Sequence, residues 1–330
     1  MMIFIKNDST DPYFNIALEE YFLRNLDIKD TIFSLSRNKP CVIIGKHQNP
    51  YVEVNLKLVL EHGILVARRI SGGGAVYHDL GNLNFMFISQ VDHFDTLDIK
   101  TYIFPVVQAL NKMGINAQLS DRNSITIDGK KISGTAEAFA NKKLLCHGTL
   151  LFDSNLNILN EALKTNKSKI DSKSVNSVPS EVGNIKDFLE QEYDIETFKN
   201  KILENIFVNK SYKEYTLSEI DIENIEKLAK EKFSTWDWIY GESPPFTIRN
   251  LMQLPNGSIA FKVEVERDGN INKISFEGDL VNSSEIIHFE KLLQGKKYYI
   301  DNVIDILKNI EISKYFVNVT PEELISLMFY

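Results

Sequence analysis

Hydrophobic positions in this chain fall into short runs whose period changes, and the period assigns the elements. Behind Asp11, a capping residue, and Pro12, suited to a first helical position, Phe14, Ala17, Leu18, Tyr21 and Phe22 recur at helical spacing. Residues 31–35, 41–44, 65–69 and 83–88 are instead apolar runs of strand length, separated by Asn38, Pro40, Gly45, Asn49 and Pro50. Helical spacing returns over 101–113 through Ile103, Val106, Val107 and Leu110, then over 195–207 and 220–233. Between these helices, 124–127 and 130–136 flank Asp128-Gly129, a pair suited to a two-residue turn with positive φ at both positions. That turn pins the register of Lys131. A strand at 144–152 carries Cys146, His147 and Gly148, and the polar stretch 164–184 keeps no period, which predicts a mobile loop.

After residue 235 the pattern shifts. Trp236, Trp238, Pro244 and Pro245 crowd one short segment, which reads as a docking stretch leading into a boundary. Alternation through Ile259, Phe261, Val263 and Val265, a turn at Asp268-Gly269-Asn270, then Ile274 and Phe276 predict a hairpin. Three short helices close the chain, the last marked by Thr320, Pro321 and Glu323. At 330 residues the chain exceeds the usual span of one core. The expected organisation is an α+β domain with a mixed β-sheet over 1–246 and a small α+β domain over 247–330.

Charge narrows the partners. A formal net charge of −8 opposes non-specific binding to nucleic acid or to anionic lipid, so any anion must be held locally. Two cysteines are too few for a disulfide framework, no signal-peptide core opens the chain, and no apolar stretch reaches membrane-spanning length. A cytoplasmic protein is expected.

The strongest local signal is Arg68-Arg69-Ile70-Ser71-Gly72-Gly73-Gly74, two guanidiniums before three glycines in an otherwise apolar segment. Consecutive glycines add backbone entropy and no packing, so they mark a place where another molecule approaches the main chain. Neither Gly45-Lys46-His47 nor Gly129-Lys130-Lys131 continues into the hydroxyl of a Walker A loop, and a dinucleotide fingerprint from Gly72 would need glycine at Tyr77. A surface hairpin turn is the plain alternative. With Lys131, however, the segment suits an acyl-adenylate: two like charges at ~4 Å repel by roughly 4 kcal/mol at an effective dielectric of 20, and a pre-placed cation removes that repulsion.

Several motifs together resemble the lipoate–protein ligases: residues 11–20, Ile44-Gly45-Lys46-His47-Gln48-Asn49-Pro50, the whole of 68–82, Lys131-Ile132-Ser133-Gly134-Thr135-Ala136, His147-Gly148-Thr149-Leu150-Leu151, and 236–246. The resemblance implies a catalytic fold shared with biotin–protein ligases and a C-terminal accessory domain. It implies ATP-dependent formation of lipoyl-AMP, then transfer to a lysine of a lipoyl carrier domain, in acyltransferase subunits of 2-oxoacid dehydrogenases or the glycine cleavage H protein. By motif position Lys131 is the catalytic lysine. Arg69, Ser71, Gly72, Gly73, Lys131 and His147 would contact the lipoyl group, and Arg69, Gly74, Ala75, Val76, Tyr77, Asn82, Asn123 and Lys131 the nucleotide. Mg²⁺ is expected with the pyrophosphate, its protein ligands unassigned.

Lys130 and Lys131 point to opposite faces of a strand, so one of them at most serves the site, and Cys146 and His147 are separated in the same way. His78-Asp79 suits a structural hydrogen-bonding role. Related transferases carry a nucleophilic cysteine after the matching His-Gly, whereas 148–330 contains none, which disfavours ATP-independent transfer of octanoyl or lipoyl groups between carriers. A silent carrier-binding protein is the third possibility. It is motivated by Ser177-Val178-Pro179-Ser180-Glu181-Val182, where the family often has two arginines.

Overall fold

A computed structural model describes residues 1–25, 30–91, 98–165, 169–208 and 211–330. The elements run β1 (Met2–Lys6), α1 (Pro12–Asn25), β2 (Thr31–Ser36), β3 (Cys41–Ile44), α2 (Pro50–Glu53), α3 (Leu56–Glu61), β4 (Leu65–Arg68), β5 (Val76–His78), β6 (Asn82–Gln90) and α4 (Lys100–Lys112). Then come β7 (Gln118–Leu119), β8 (Ile125–Ile127), β9 (Lys130–Ser133), β10 (Thr135–Ala140), β11 (Lys143–Leu151), α5 (Leu156–Ala162), β12 (Ile170–Ser172), α6 (Ile195–Phe207), β13 (Tyr212–Thr216) and α7 (Glu219–Leu228). The chain ends with β14 (Phe246–Leu254), β15 (Gly257–Val265), β16 (Ile271–Glu277), α8 (Ile286–Leu293), α9 (Ile300–Lys308) and α10 (Pro321–Phe329). The α+β mixture is as expected from the changing period.

These elements form two compact units, and the division is not linear in sequence. The first comprises Met1–Lys46, Leu65–Asn160 and Ser177–Thr235; the second comprises His47–Ile64, Glu161–Asn176 and Trp236–Tyr330. In the first, a six-stranded mixed sheet has the order β10-β11-β6-β2-β1-β13, with β1 parallel to both β2 and β13. Directly opposed residues share a face. Phe33, Leu35, Leu83, Phe85, Phe87, Leu144, Cys146 and Leu150 lie on one side and enter a single core with α4 and α6. The other side carries Ser34, Asn82, Asn84, Met86, His147 and Thr149. The alternation therefore separates Cys146, whose thiol burial pushes up to about 12, from His147.

Helix α1 starts where the sequence signals it: the Asp11 carboxylate accepts from the N–H groups of Tyr13 and Phe14 at 2.8 and 3.3 Å. Its buried positions include Asn15, Ile16, Ala17, Leu18 and Glu20, a wider stripe than the apolar residues alone mark. A smaller sheet, β4-β3-β5, carries the arginine-glycine segment between β4 and β5.

The second unit is built on the sheet β12-β14-β15-β16 and a core that includes Phe246, Phe261, Phe276, Phe289 and Tyr298. Tyr51 belongs to that core, and its hydroxyl donates to the carbonyl of Tyr298, which ties 47–64 to this unit. Trp236 packs within it too, so closely that a Cβ on Gly269 would lie 2.2 Å from the indole.

The structure departs from the expected elements at two places. The strand expected at 130–136 is broken at Gly134: β9 pairs with β8, while β10 starts at Thr135 and joins the six-stranded sheet. The stretch expected as a mobile loop is anchored, because Ile170–Ser172 pairs with β14 and Val182 bridges to Lys131. Residues 166–168 of that stretch lie outside the described residues. The polar composition hid both pairings, since backbone ladders need no apolar side chain.

Candidate active site

The arginine-glycine segment is held by its own arginines. Arg69, 6% exposed, donates from Nη2 to the carbonyls of Gly72 and Gly74 at 2.6 and 2.8 Å, from Nη1 to Ile43 at 3.1 Å and from Nε to Ser71 Oγ at 2.9 Å. Arg68 is fully buried and donates to the carbonyls of Gly45 and Lys46. Burial holds the Arg69 guanidinium down to about 10, with Glu19 pulling the other way, so it stays cationic at neutral pH. Both side chains thus curl the main chain around themselves.

Glycine is required at two points of this curl. Gly73 has φ +88°, and a Cβ on Gly45 would stand 2.2 Å from the Gly73 carbonyl oxygen. Gly45→Ala is expected to cost about 1–3 kcal/mol of stability, read as a lower urea midpoint, because backbone must move to admit the methyl. Gly72 faces open space within 4 Å of its Cβ direction. Beyond it, Ala75 N–H donates to Ser177 Oγ at 2.9 Å. Val76 and Tyr77 pair with Ile43 and Val42, and Tyr77 is buried.

Lys131 lies on β9, partly buried, and burial followed by Arg122 and Arg69 lowers its pKa below the ordinary lysine value. Among the described residues its ammonium has neither ion-pair nor hydrogen-bond partner, and Gly134 leaves it room: a Cβ there would lie 3.5 Å from Nζ. The segment after Ser177 flanks the same strand, since Lys131 N–H donates to Glu181 O at 2.8 Å and Gly183 N–H to Lys131 O at 3.2 Å. Residues 177–183 therefore connect the glycine segment to Lys131. An acidic protein presents here a local group of cations.

His147 projects from β11 between α1 and the glycine segment. Its Nδ1 is 2.8 Å from Glu19 Oε2 and its Nε2 is 2.7 Å from Ser71 Oγ. Acid, imidazole and hydroxyl follow the order of a hydrolytic triad. Ser71, however, is 1% exposed and its oxygen already receives Arg69 Nε–H, so it is not presented as a nucleophile.

Asn123, with φ +58°, carries a buried Oδ1 without a partner among the described residues, while its carbonyl accepts from Thr135 Oγ1 at 2.6 Å. Asn82 is fully buried on the His147 side of the sheet; its Nδ2 donates to Asn84, and its Oδ1 is likewise unpartnered. His78 is structural, as expected: its Nδ1 is 2.9 Å from Asn38 Nδ2, and burial, then Arg69 and His147, drives its pKa down to about 3. Asp79 accepts from the N–H groups of Gly81 and Asn155. Among the described residues no group of three or more His, Cys, Asp or Glu is placed to hold a metal.

Sequence reasoning gave no role of its own to Glu19, within the motif at 11–20, or to Ser177, at the head of the segment 177–182. Neither has a local signature, because Glu19 is one acidic residue among several in a helix and Ser177 one serine in a polar stretch.

This geometry meets a consistent set of relatives. The family model described as the lipoyl protein ligase A/B catalytic domain matches residues 11–207, and that of the bacterial lipoate protein ligase C-terminus matches residues 243–328. Lipoate-protein ligase LplJ of Bacillus subtilis is 41% identical over 332 residues, covering 99% of this chain and 100% of its own length. A lipoate-protein ligase A bound with ATP is similar with a TM-score of 0.61 and 26% identity, over 72% of this chain and 98% of its own. A structure of a bi-partite lipoate protein ligase and its E2 lipoyl domain from Thermoplasma acidophilum gives a TM-score of 0.63 at 27% identity, covering 72% and 95%.

Proposed function

Because the chain belongs to the lipoyl protein ligase A/B family, we propose that it joins lipoate to protein at the expense of ATP, using the glycine segment and Lys131 as the adenylate site. In the first half-reaction a lipoate carboxylate oxygen attacks the α-phosphorus of ATP, the bond to the β-phosphate bridging oxygen breaks, and pyrophosphate leaves. In the second, an acceptor lysine amine attacks the lipoyl carbonyl, AMP leaves with the bonding electrons, and the amine loses a proton. Lipoyl carrier domains of 2-oxoacid dehydrogenase acyltransferase subunits, or the glycine cleavage H protein, are the proposed acceptors. The Thermoplasma pairing of a ligase with an E2 lipoyl domain supports that class.

One observation carries the reading most: Lys131 is a cation without a partner among the described residues, partly desolvated and linked by 177–183 to the glycine segment. A cation so placed bridges the two anions that the first step brings together, and it needs no rearrangement to do so. Arg69 contributes by shaping the wall rather than by reaching out of it. We assign Ser71, Gly72, Gly73 and His147 to the lipoyl group and Gly74, Ala75, Val76, Tyr77, Asn82 and Asn123 to the nucleotide, with Tyr77 and Asn82 acting from buried positions in the wall. The orphaned Asn123 Oδ1 is an acceptor suited to a ligand N–H. Mg²⁺ on the ATP phosphates would neutralise charge on the leaving pyrophosphate.

We assign catalysis to 1–246 and an accessory role to 247–330, in a cytoplasmic setting. Both cysteines are free and buried, and no helix among the described residues is long and apolar enough to cross a membrane.

The test is an exchange of labelled pyrophosphate into ATP with lipoate, octanoate or biotin, followed by weighing carrier domains after incubation. Lipoate-dependent exchange and a lipoyl mass increment on the carrier are expected. Carrier modification without nucleotide would overturn the ligase reading in favour of transfer between carriers.

A further inference from the structure

We infer that Glu19 is a positioning residue: it holds His147 as the Nδ1–H tautomer, and through Ser71 and Arg69 this keeps the glycine segment in its binding shape. The inference rests on the proposed use of that segment as one wall of the adenylate site. It concerns a residue whose hydrogen bond goes to His147 and not to the glycine segment.

The hydrogen-bond inventory forces the direction of each bond. An ionised carboxylate only accepts, so the 2.8 Å contact to Glu19 Oε2 places a proton on His147 Nδ1. Ser71 Oγ is 2.7 Å from Nε2 and has one hydrogen to give, while Arg69 Nε–H is 2.9 Å away on the donor side. With Nε2 bare, the serine hydrogen goes to the ring and its oxygen accepts from arginine. Every group is then satisfied. With Nε2 protonated, Ser71 Oγ would face two donors and its own hydrogen would turn into a site only 1% exposed.

The consequence reaches the loop. Arg69 Nε is fixed by Ser71, and the same guanidinium grips the carbonyls of Gly72 and Gly74. Glu19, 16% exposed beside His147 at 12%, is shielded enough for the charge-assisted bond to matter. A chain of four side chains thereby carries the choice of histidine tautomer to the main chain that would hold lipoate. It acts on ground and transition states alike, so its loss should weaken binding more than turnover.

Two readouts test this in the full-length protein. A long-range proton–nitrogen correlation spectrum of the uniformly ¹⁵N-labelled, ligand-free chain reports which imidazole nitrogen is protonated, and the His147 signal is assigned by its disappearance in His147→Phe. Expected are a protonated Nδ1 and a bare Nε2 in the wild type, and loss of that preference in Glu19→Ala. The KM for lipoate in Glu19→Ala should rise about tenfold or more with kcat little changed, and Glu19→Gln, whose amide oxygen still accepts, should recover most of the loss.

A wild-type His147 protonated on Nε2 would overturn the inference, as would an unchanged tautomer and KM in Glu19→Ala. If the alanine variant does not fold, the wild-type spectrum alone decides the tautomer. The spectrum needs no substrate: the expected tautomer in a protein without lipoate-dependent exchange would refute the ligase reading and leave the relay standing.

Discussion

Lys131→Ala is expected to lower lipoate-dependent pyrophosphate exchange by about 10²–10³-fold, the usual range for removing one pre-placed stabilising group from a reacting centre. The change removes a cation without breaking an ion pair or hydrogen bond, because the ammonium has no partner among the described residues. Thermal stability should therefore move little. Lys131→Arg should not restore activity, since a planar fork replaces a compact point charge and the room left by Gly134 suits only the latter. The pH profile gives a further check. Burial, Arg122 and Arg69 all lower the Lys131 pKa, so the bridging charge is lost at a lower pH than an ordinary lysine would lose it. Exchange should fall on the alkaline side accordingly, and wild-type activity in Lys131→Ala would remove Lys131 from the mechanism.

Arg69→Lys is expected to abolish most activity and also to destabilise the ligand-free protein by about 3–5 kcal/mol, as when one partner of a buried charged network is removed. Lysine cannot reach Ile43, Ser71, Gly72 and Gly74 together, so the buried Ile43 carbonyl and the part-buried Gly72 and Gly74 carbonyls lose their donor. A melting temperature lower by about 10 °C follows for a unit of this size. The two measurements separate two roles for the same residue. An arginine that only gripped ligand would leave the apo protein's melting temperature unchanged, whereas one that shapes the loop lowers it before any substrate is added.

Much of the fold was legible because it depends on neighbours in sequence. The helical spacing of Ile103, Val106, Val107 and Leu110 led to Lys100–Lys112, and the apolar run at 41–44 is β3 itself. Asp128 and Gly129 have φ of +48° and +82°, as the turn requires. Lys131 was found through that turn and its motif. The strand Met2–Lys6 and the edge strand Tyr212–Thr216 were missed, the first because no turn signal precedes its apolar run and the other because it is mostly exposed.

What the sequence determined by itself was local: where the chain helices and extends, where it turns, and which few residues bear chemistry. Tertiary structure decided where those residues point. Arg69 looked like a grip for an anion, and packing turned it inward onto carbonyls. Residues 177–183 looked like part of a mobile loop, and they became a link from Ala75 to Lys131. The bonds responsible span 128 residues from Glu19 to His147, 76 from Ser71 to His147 and 102 from Ala75 to Ser177. Periodicity records only which side of an element is apolar, so it carries no information about which distant donor a buried acceptor will meet. That pairing is fixed only when the core of the first unit closes and its buried polar groups must find partners.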